Sequence, residues 1–349
     1  MILLTGATGY LGTLVLARLL DDPDGPEILC PVRARDDREA AARVDATLAR
    51  LWHEPGAVRR ARVRAVAADL LHPLDVPRVA DITAVLHCAA AVSFDLPLAQ
   101  ARAINVGGTR QVLDLARRAP RLERVVHVST AYVGGRHAGP FGEDDLDVGQ
   151  TFRNTYEQTK HEAERMLAAE ATDLPVVVAR PSIVVGEAGT GWTTSFNVLY
   201  PPLRAYRRGM ISRAPADPDG LLDVVTGDYV ADALVHLLGH GEPGRRYHLV
   251  SGDDAPTSRR VAELAAEAFG LPPLVMDAGS SALDQVYVPY FDVRLRFDDA
   301  RSRALLGPHG IAPADLAECF GRLMRFAEET RWGKRTAVRE DGLAVATSG

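Results

Sequence analysis

Residues 5–12 read TGATGYLG and follow directly on the apolar segment Ile2–Leu4. Gly6, Gly9 and Gly12 recur at every third position, and a helical pattern begins beside them. Glycine lets the backbone turn sharply and lets a phosphate come close to it. The start of the helix then offers free N–H groups and the positive end of its dipole to a pyrophosphate. The spacing is not the more common G-x-G-x-x-G, but its place between a strand and a helix predicts a dinucleotide-binding turn.

Outward from this turn, short apolar runs alternate with longer helical patterns. The predicted strands are Ile2–Leu4, Ile28–Val32, Val63–Ala67, Ala84–Cys88, Val125–Ser129 and Val176–Ala179. The predicted helices are Leu11–Leu20, Arg38–Leu51, Leu98–Ala119 and Arg153–Ala171. This alternation is typical of an α/β protein, and it predicts a doubly wound parallel sheet of the Rossmann type with helices on both faces.

The regular alternation ends after Gly186, where glycines and prolines cluster. Strand and helix patterns return near residue 221, and the stretch from Ser258 to Trp332 is mostly helical in pattern. We therefore predict a dinucleotide-binding Rossmann domain formed by 1–186 and 221–252, a smaller, mainly helical substrate-binding domain formed by 187–220 and 253–332, and a polar, poorly ordered tail at 333–349.

The composition restricts the classes of function. The 349 residues are 47% hydrophobic and 25% charged with a net charge of −6, which fits a globular protein and does not favour a nucleic-acid partner. No apolar run reaches about 18 residues, so no membrane span is predicted. The glycine turn begins almost at the first residue, which leaves no room for a signal peptide. Three widely spaced cysteines indicate a reducing compartment, and we predict a cytoplasmic protein.

The end of the second predicted strand indicates which dinucleotide binds. An NAD site usually has Asp or Glu here to bind the ribose 2′-hydroxyl. This chain instead reads CPVRAR at 30–35, with Arg33 at the strand end. A guanidinium offers paired donors to a 2′-phosphate, and Arg43 in the following helix is within reach of the same phosphate. The sequence thus predicts NADPH, the alternative being ordinary surface arginines.

Only two of the 40 basic residues are lysines, Lys160 and Lys334. Lys160 stands four residues after Tyr156 in a helical pattern, so both side chains share one face. A nearby ammonium lowers the pKa of a tyrosine that exchanges a proton, and it can hold ribose hydroxyls where a flat guanidinium fits badly. The pair predicts a catalytic tyrosine and lysine, against the alternative of an exposed surface pair.

The stretch HVSTAYVGG at 127–135 ends another predicted strand. Ser129 or Thr130 would therefore lie at the carboxyl edge of the sheet, where folds of this type bind ligands. A hydroxyl at this edge can hydrogen-bond a substrate carbonyl.

Two further patterns are less specific. His236 and His240 have the spacing of a metal-binding pair, but no third ligand is near in sequence, and we predict no metal. An acyl pocket could be lined by Trp192 and by the series Phe196, Leu199, Leu203 and Tyr206, with Trp192 and Phe196 near the acyl side. Ordinary packing of a helix face is the alternative.

Four motifs together resemble those of extended short-chain dehydrogenases/reductases: TGATGYLG, HVSTAYVGG, the Tyr156 and Lys160 pair, and RPSIVVG at 180–186. More narrowly, CPVRARDDREAAARV, HCAAAVSFDLPLAQARAINVGGT and GEAGTGWTTSFNVLYPPLRAYRRGM resemble the thioester reductase and fatty acyl reductase branch, with its NAD-binding domain of the male-sterility type. The resemblance covers roughly residues 2–250. Pro31 departs from it, since this branch more often has leucine there.

By position, the resemblance implies a catalytic set of Thr130, Tyr156 and Lys160, with Ser129 as a less favoured substitute for Thr130 and Asn105 supporting the active-site helix. It places Asp69 and Leu70 beside the adenine. The complete predicted cofactor-binding set is Gly6, Thr8, Gly9, Tyr10, Leu11, Gly12, Arg33, Arg43, Asp69, Leu70, Ala89, Ala90, Ala91, Tyr156, Lys160, Pro181, Ser182, Ile183 and Val184, the last four near the nicotinamide.

The resemblance implies NADPH-dependent reduction of an acyl thioester, carried by a carrier protein or by coenzyme A, to an aldehyde and in a second round to the alcohol. One alternative is a reductase of a free aldehyde or ketone, or an enzyme of the nucleotide-sugar type. Another is a non-catalytic NADP-binding sensor, although the tyrosine–lysine pair favours an enzyme. The sequence specifies neither the acyl chain nor the oligomeric state.

Overall fold

The computed structural model describes residues 1–276 and 294–346; residues 277–293 of the predicted substrate-binding domain and 347–349 of the predicted tail lie outside this part. In chain order, the strands are β1 (Ile2–Thr5), β2 (Ile28–Val32), β3 (Val63–Ala67), β4 (Ala84–His87), β5 (Arg124–Val128), β6 (Gly139–Phe141), β7 (Val176–Pro181), β8 (Ile183–Val185), β9 (Arg213–Ala214), β10 (Val224–Thr226), β11 (Arg246–Leu249), β12 (Val275–Met276) and β13 (Leu295–Phe297).

The helices lie between these strands. In chain order they are α1 (Tyr10–Asp21), α2 (Asp37–Leu51), α3 (Gly56–Ala61), α4 (Leu98–Arg102), α5 (Gly108–Arg117), α6 (Thr155–Glu170), α7 (Tyr200–Arg207), α8 (Gly227–His240), α9 (Ser258–Phe269), α10 (Ala300–Leu306), α11 (Leu316–Glu329) and α12 (Arg339–Ala346). Each predicted strand of the first half is present, with its ends shifted by at most two residues. The predicted helices are present as well, but the one predicted for Leu98–Ala119 is divided into α4 and α5 by the segment Ala103–Gly107.

Seven strands form the central sheet, in the order β11-β7-β5-β4-β1-β2-β3. Every neighbouring pair in it is parallel. The inner strands β1 and β2 are buried throughout, because helices cover both faces of the sheet. The predicted doubly wound Rossmann sheet is therefore confirmed.

The strand order reverses between β1 and β4. From β1 the chain runs outward through β2 to β3, and it then returns to β4 on the other side of β1. The loops that follow β1 and β4 diverge at such a point and leave a crevice at the carboxyl edge of the sheet. The predicted glycine turn and the predicted Ala89–Ala91 segment are these two loops.

The second half of the chain adds one strand to the main sheet and builds a second core. β11 pairs with β7, whereas β10 pairs with β8 outside the main sheet. The second core joins α7, α9 and α11 to β8, β10 and the segment after β5. The described parts of 187–220 and 253–332 thus contribute mainly helices, but residues 131–141 pack into the same core.

The predicted tail contains a helix. α12 spans Arg339–Ala346, and Arg339 is buried against the carboxylate of Glu187 at 2.7 Å. The expectation of poor order is therefore wrong for these residues, because a buried ion pair fixes the helix to the body of the protein. Within the described residues, no helix is both long and apolar enough to cross a membrane.

Candidate active site

The glycine turn packs directly against the loop after β4. Gly6 has φ +73°, and a methyl group there would lie 2.7 Å from the backbone nitrogen of Ala89. A methyl group at Gly12 would lie 2.1 Å from the carbonyl oxygen of Gly6. Both contacts require glycine, since an added Cβ would overlap backbone atoms. The turn therefore brings the start of α1 to the crevice, and no side chain caps this end of the helix. Its first N–H groups can thus bind a pyrophosphate.

The predicted phosphate-binding arginines lie together at the end of β2. Arg33 is exposed, and the guanidinium of Arg43 donates to the carbonyl oxygen of Arg33. The acids that follow are engaged elsewhere. Asp36 accepts from the backbone N–H of Glu39 at 2.8 Å, and Asp37 accepts from that of Ala67 at 2.8 Å. The position next to the strand end therefore presents guanidinium groups rather than a carboxylate.

The loops after β3 and β4 supply the next predicted cofactor contacts. The carboxylate of Asp69 accepts from the backbone N–H of Leu71 at 3.0 Å, and Leu70 lies against Gly108. The backbone N–H of Ala89 donates to the hydroxyl of Thr5 at 3.3 Å. These bonds fix both loops at the carboxyl edge of the sheet, beside the glycine turn.

Asn105 connects the crevice to the helix that carries Tyr156. It lies in a short π-helical segment, Ala103–Gly107, between α4 and α5, and such interruptions of a helix are frequent at functional sites. Its amide oxygen accepts from Ala91 N–H at 2.7 Å, and its amide nitrogen donates to Ala91 O at 3.1 Å and to the hydroxyl of Thr159 at 2.9 Å. Asn105 is thus a positioning residue between the loop after β4 and α6.

The structure distinguishes the two hydroxyls at the end of β5. The side chain of Ser129 donates to the buried carboxylate of Glu164 at 2.5 Å. The side chain of Thr130 lies close enough to the phenol of Tyr156 to oppose the rise of its pKa, and the Thr130 hydroxyl donates to the carbonyl oxygen of Pro181 at 3.3 Å. Of the two, only Thr130 is brought to Tyr156, which favours the predicted choice of Thr130 over Ser129.

Lys160 follows Tyr156 by one turn of α6 and is buried, with 2% of its surface exposed. Its ammonium donates to the carbonyl oxygen of Val128 at 2.7 Å and lies 3.3 Å from Nε2 of His127. Burial lowers the pKa of Lys160 to about 8, and the carboxylate of Glu164 offsets this only in part. The alternative of an exposed surface pair with Tyr156 is therefore excluded.

The acidity of Tyr156 differs from the sequence-based expectation. Burial raises the pKa of its phenol to about 12, and the nearby Thr130 side chain offsets this only in part. The expected lowering by Lys160 is wrong for this structure, because the Lys160 ammonium bonds to Val128 and His127. A phenol with this pKa keeps its proton at neutral pH, which suits a proton donor.

Sequence reasoning missed a buried ion pair behind these residues. Arg180 and Glu164 are both buried, and the guanidinium donates to the carboxylate at 2.7 Å. Although burial opposes it, the Arg180 guanidinium holds the pKa of the Glu164 carboxyl below its usual value. Glu164 follows Lys160 by four residues, so its place on the same buried helix face was available as a signal. The pair fixes α6 to β7 next to the predicted catalytic residues.

Tyr10 and Trp192 have structural roles. The hydroxyl of Tyr10 donates to the carbonyl oxygens of Val185 at 2.9 Å and Trp192 at 3.2 Å, so it joins α1 to the end of β8. Trp192 is buried, and its indole N–H donates to Ala337 O at 3.1 Å. Packing therefore describes Trp192 better than an acyl pocket does. The predicted nicotinamide segment, 181–184, spans the end of β7 and the start of β8.

An apolar pocket does occur in the second half of the chain. It lies between α7 and α9, and its lining residues include Leu203, Tyr206, Val261 and Ala265. Leu203 and Tyr206 belong to the helix face for which the sequence allowed either ordinary packing or pocket lining. In the structure they pack into the second core and also line this pocket. Phe196 lies elsewhere, among the residues of a separate cleft that contains Arg204 and Trp332.

The structure brings a third histidine to the predicted pair. The rings of His236 and His240 stack at 4.1 Å, and His309 lies 4.4 Å from His236. His309 comes from a distant segment, which is why the sequence around the pair did not reveal it. Within the described residues, no group of three such side chains is placed to hold a metal ion.

Solved structures with this architecture define the class of fold. The terminal R domain from the myxalamid PKS-NRPS biosynthetic pathway matches with a TM-score of 0.79 and 24% identity, over 96% of this chain and 92% of that one. DesIV, a dTDP-glucose 4,6-dehydratase from Streptomyces venezuelae solved with NAD and TYD bound, matches with a TM-score of 0.70 and 22% identity, over 95% of this chain and 97% of that one. The fold is that of the extended short-chain dehydrogenases/reductases.

Residues 4–234 match the NAD-binding family described as male sterility protein, and the chain belongs to this family. Isonitrile lipopeptide synthase of Streptomyces coeruleorubidus is 37% identical over 69% of this chain and 17% of its own length. Fatty acyl-CoA reductase 2 of Homo sapiens is 28% identical over 73% of this chain and 58% of its own length. The chain thus spans about a sixth of the length of the synthase and somewhat more than half of the length of the reductase.

Proposed function

We propose that the protein is an NADPH-dependent reductase of acyl thioesters carried by coenzyme A or a carrier protein. The observation that carries the proposal is the proximity of the Thr130 side chain to the phenol of Tyr156, one helical turn before the buried Lys160. This set lies at the carboxyl edge of the central sheet. The relatives of this chain include a protein named fatty acyl-CoA reductase 2. Thr130 and Tyr156 can bind a carbonyl oxygen, and Tyr156 carries a proton to give it.

The proposed cofactor is NADPH. Arg33 and Arg43 stand where an NAD site would have a carboxylate, and Asp36 and Asp37 are engaged by backbone N–H groups. The glycine turn would hold the pyrophosphate, and Lys160 would hold the ribose. Two or more guanidinium donors suit the 2′-phosphate because charge-assisted bonds to phosphate are strong and directional.

The residues of this chain would act on the thioester carbonyl as follows. When bound, NADPH supplies a hydride for the carbonyl carbon. Thr130 and Tyr156 hold the carbonyl oxygen, and Tyr156 gives it a proton as negative charge develops there. The resulting hemithioacetal loses the thiol, whose sulfur takes up a proton, and leaves the aldehyde. The raised pKa of Tyr156 serves this direction, because the phenol remains protonated until the oxygen becomes basic.

The test is the stoichiometry of the reaction with a panel of acyl-CoAs, carrier-bound acyl thioesters and free aldehydes. We expect NADPH oxidation with thioesters and release of thiol. One thiol per NADPH means an aldehyde product, and one thiol per two NADPH means an alcohol. Oxidation of NADPH with free aldehydes or ketones but with no thioester would overturn the proposal in favour of a free-carbonyl reductase. NADPH binding without turnover of any substrate would favour a sensor.

A further inference from the structure

A cleft rich in cations and aromatic rings lies in the second half of the chain, on the exposed side of α7. Two adjoining pockets share Arg208 and Trp332 and together form this cleft. We call it the basic cleft, and its lining residues are Phe196, Tyr200, Pro201, Arg204, Ala205, Arg207, Arg208, Met210, Glu328, Arg331, Trp332 and Lys334. Lys334, the second lysine of the chain, is one of them.

The basic cleft carries excess positive charge. Its lining includes five cationic side chains and one acid, Glu328, which pairs with Arg207. Among residues 1–276 and 294–343, no carboxylate lies within ion-pair distance of the other four cations, which are Arg204, Arg208, Arg331 and Lys334. Many other exposed arginines of this chain do pair with acids, as Arg110 does with Glu170. In a protein with a net charge of −6, a cluster of unneutralised cations favours an anionic ligand.

Strained backbone lines this cleft. Four non-glycine residues of the described chain have positive φ, and three of them, Val198, Arg331 and Trp332, lie in it or directly beside it. A β-branched residue such as Val198 at φ 46° is especially unfavourable. At the other wall, the turn after α11 places the ring of Trp332 6.5 Å from that of Tyr200. The surrounding packing must hold such strained residues in place, and they cluster at active sites and ligand-binding sites.

The basic cleft is joined to the segment that leads to the catalytic residues. The hydroxyl of Tyr200, at the start of α7, accepts from the backbone N–H of Gly186 at 3.0 Å. Gly186 directly follows β8, next to the segment proposed to lie near the nicotinamide. On α11, Arg322 donates to the carbonyl oxygen of Ala188 at 2.7 Å. The helices α7 and α11, which both contribute residues to the cleft, are therefore bonded to the loop after β8.

We propose that the basic cleft binds the phosphate end of the pantetheine arm of the thioester substrate. This inference rests on the proposed function. The pantetheine arm itself is uncharged, and its phosphate is common to coenzyme A and to carrier proteins. Guanidinium groups suit phosphate oxygens through paired donors, and aromatic rings such as Trp332 pack against the apolar part of such a ligand. The cleft would thus anchor the arm while the acyl carbonyl reaches Tyr156.

The test is charge reversal at two exposed cations, in the double variant Arg208→Glu/Lys334→Glu. The same acyl group is offered as a coenzyme A thioester, as a carrier thioester and as an N-acetylcysteamine thioester, which has no phosphate. We expect KM to rise about tenfold or more for a phosphate-bearing thioester with little change in kcat, because each lost charge-assisted bond has this effect on affinity. KM for the N-acetylcysteamine thioester should stay unchanged.

Two further variants separate charge from shape and from fold. Arg208→Lys/Lys334→Arg keeps both charges and should raise KM for the phosphate-bearing thioesters much less than the charge reversal does. Arg64→Glu reverses an exposed arginine on the edge strand β3, away from the cleft, and should affect none of the substrates. The inference is overturned if the charge reversal raises KM for the N-acetylcysteamine thioester as much as for the phosphate-bearing substrates. It is also overturned if KM does not rise for any substrate.

A binding measurement keeps this inference distinguishable from the proposed function. Calorimetric titration with free coenzyme A, at saturating NADP⁺, should give a dissociation constant that the charge reversal raises about tenfold or more. If coenzyme A does not bind but the phosphopantetheine-bearing carrier binds with the same sensitivity, the phosphate comes from a carrier. If neither binds, the cleft inference fails even where thioesters are reduced. If binding occurs but no thioester is reduced, the proposed function fails.

Discussion

The two lysines of this chain lie in two contrasting regions. Lys160 is buried at the sheet edge, and burial lowers its pKa to about 8. Lys334 is exposed in the basic cleft, among several arginines. A buried cation is sensitive to each neighbouring atom, since desolvation and individual bonds decide its charge. Exposed cations act together on charged ligands and are screened by water and salt. We therefore expect buried polar groups here to govern kcat, and exposed cations to govern affinity.

The largest effect is expected in the buried region, from Tyr156→Phe. This variant removes the proton donor and keeps the ring that packs 6.1 Å from Phe94. We expect kcat to fall by about 100-fold or more, with the dissociation constant of NADPH unchanged. Steady-state rates and a fluorescence titration with NADPH measure the two quantities. A loss of NADPH affinity that accounts for the whole effect would break the contrast drawn above.

The next effect is expected for an exposed cation, in Arg33→Ala. Loss of charge-assisted bonds to the 2′-phosphate should weaken NADPH binding by about 1.5–3 kcal/mol, or roughly ten- to a hundredfold. NADH binding should stay unchanged, as should kcat at saturating NADPH.

The matched control is Arg35→Ala, because Arg35 is also exposed but bonds to Glu39 at 2.7 Å. Arg35→Ala should bind both cofactors as the wild type does. Equal weakening of NADPH and NADH in Arg33→Ala, or a wild type that prefers NADH, would rule out the assignment of Arg33 to the phosphate.

A third prediction applies the same exchange to both lysines. Lys160→Arg places a larger, planar cation in a closed site next to Val128 and His127, and we expect kcat to fall about tenfold or more. Lys334→Arg keeps an exposed charge and should change kcat and KM by less than about twofold. Rates of both variants with one thioester measure the contrast. A fully active Lys160→Arg protein would show that the buried site does not need a compact ammonium.

The smallest effect concerns stability and pH. The folded-state pKa of Lys160 is about 8, and an unfolded lysine titrates near 10.4, so between these values the unfolded state binds more protons. Stability from this group therefore rises with pH across that window. Relative to wild type, Lys160→Met should gain most below pH 8 and lose about 1–3 kcal/mol of that advantage by about pH 10.5. Urea denaturation of both proteins at several pH values tests this, and a pH-independent difference contradicts it.

Local sequence predicted much of the fold and part of the site. The strands β2 and β3 begin and end at the predicted residues, because each is a continuous apolar or alternating run between turn residues. The glycine turn was predictable because Gly6 and Gly12 serve a backbone geometry that no other residue permits. The choice of Thr130 over Ser129 was not decided by residue type, since both carry a hydroxyl. In the structure, the distant Glu164 favours Thr130 by engaging Ser129.

By itself, the sequence determined the Rossmann sheet, the place of the glycine turn and the pairing of Tyr156 with Lys160 on one helix, because each depends on residues close along the chain. Only the tertiary structure decided how acidic Tyr156 and Lys160 are and where the basic cleft forms. Those properties depend on burial and on neighbours such as Val128 or Trp332 that are distant in sequence. Desolvation and charge act through space, so residue types alone did not predict that the Tyr156 pKa rises rather than falls.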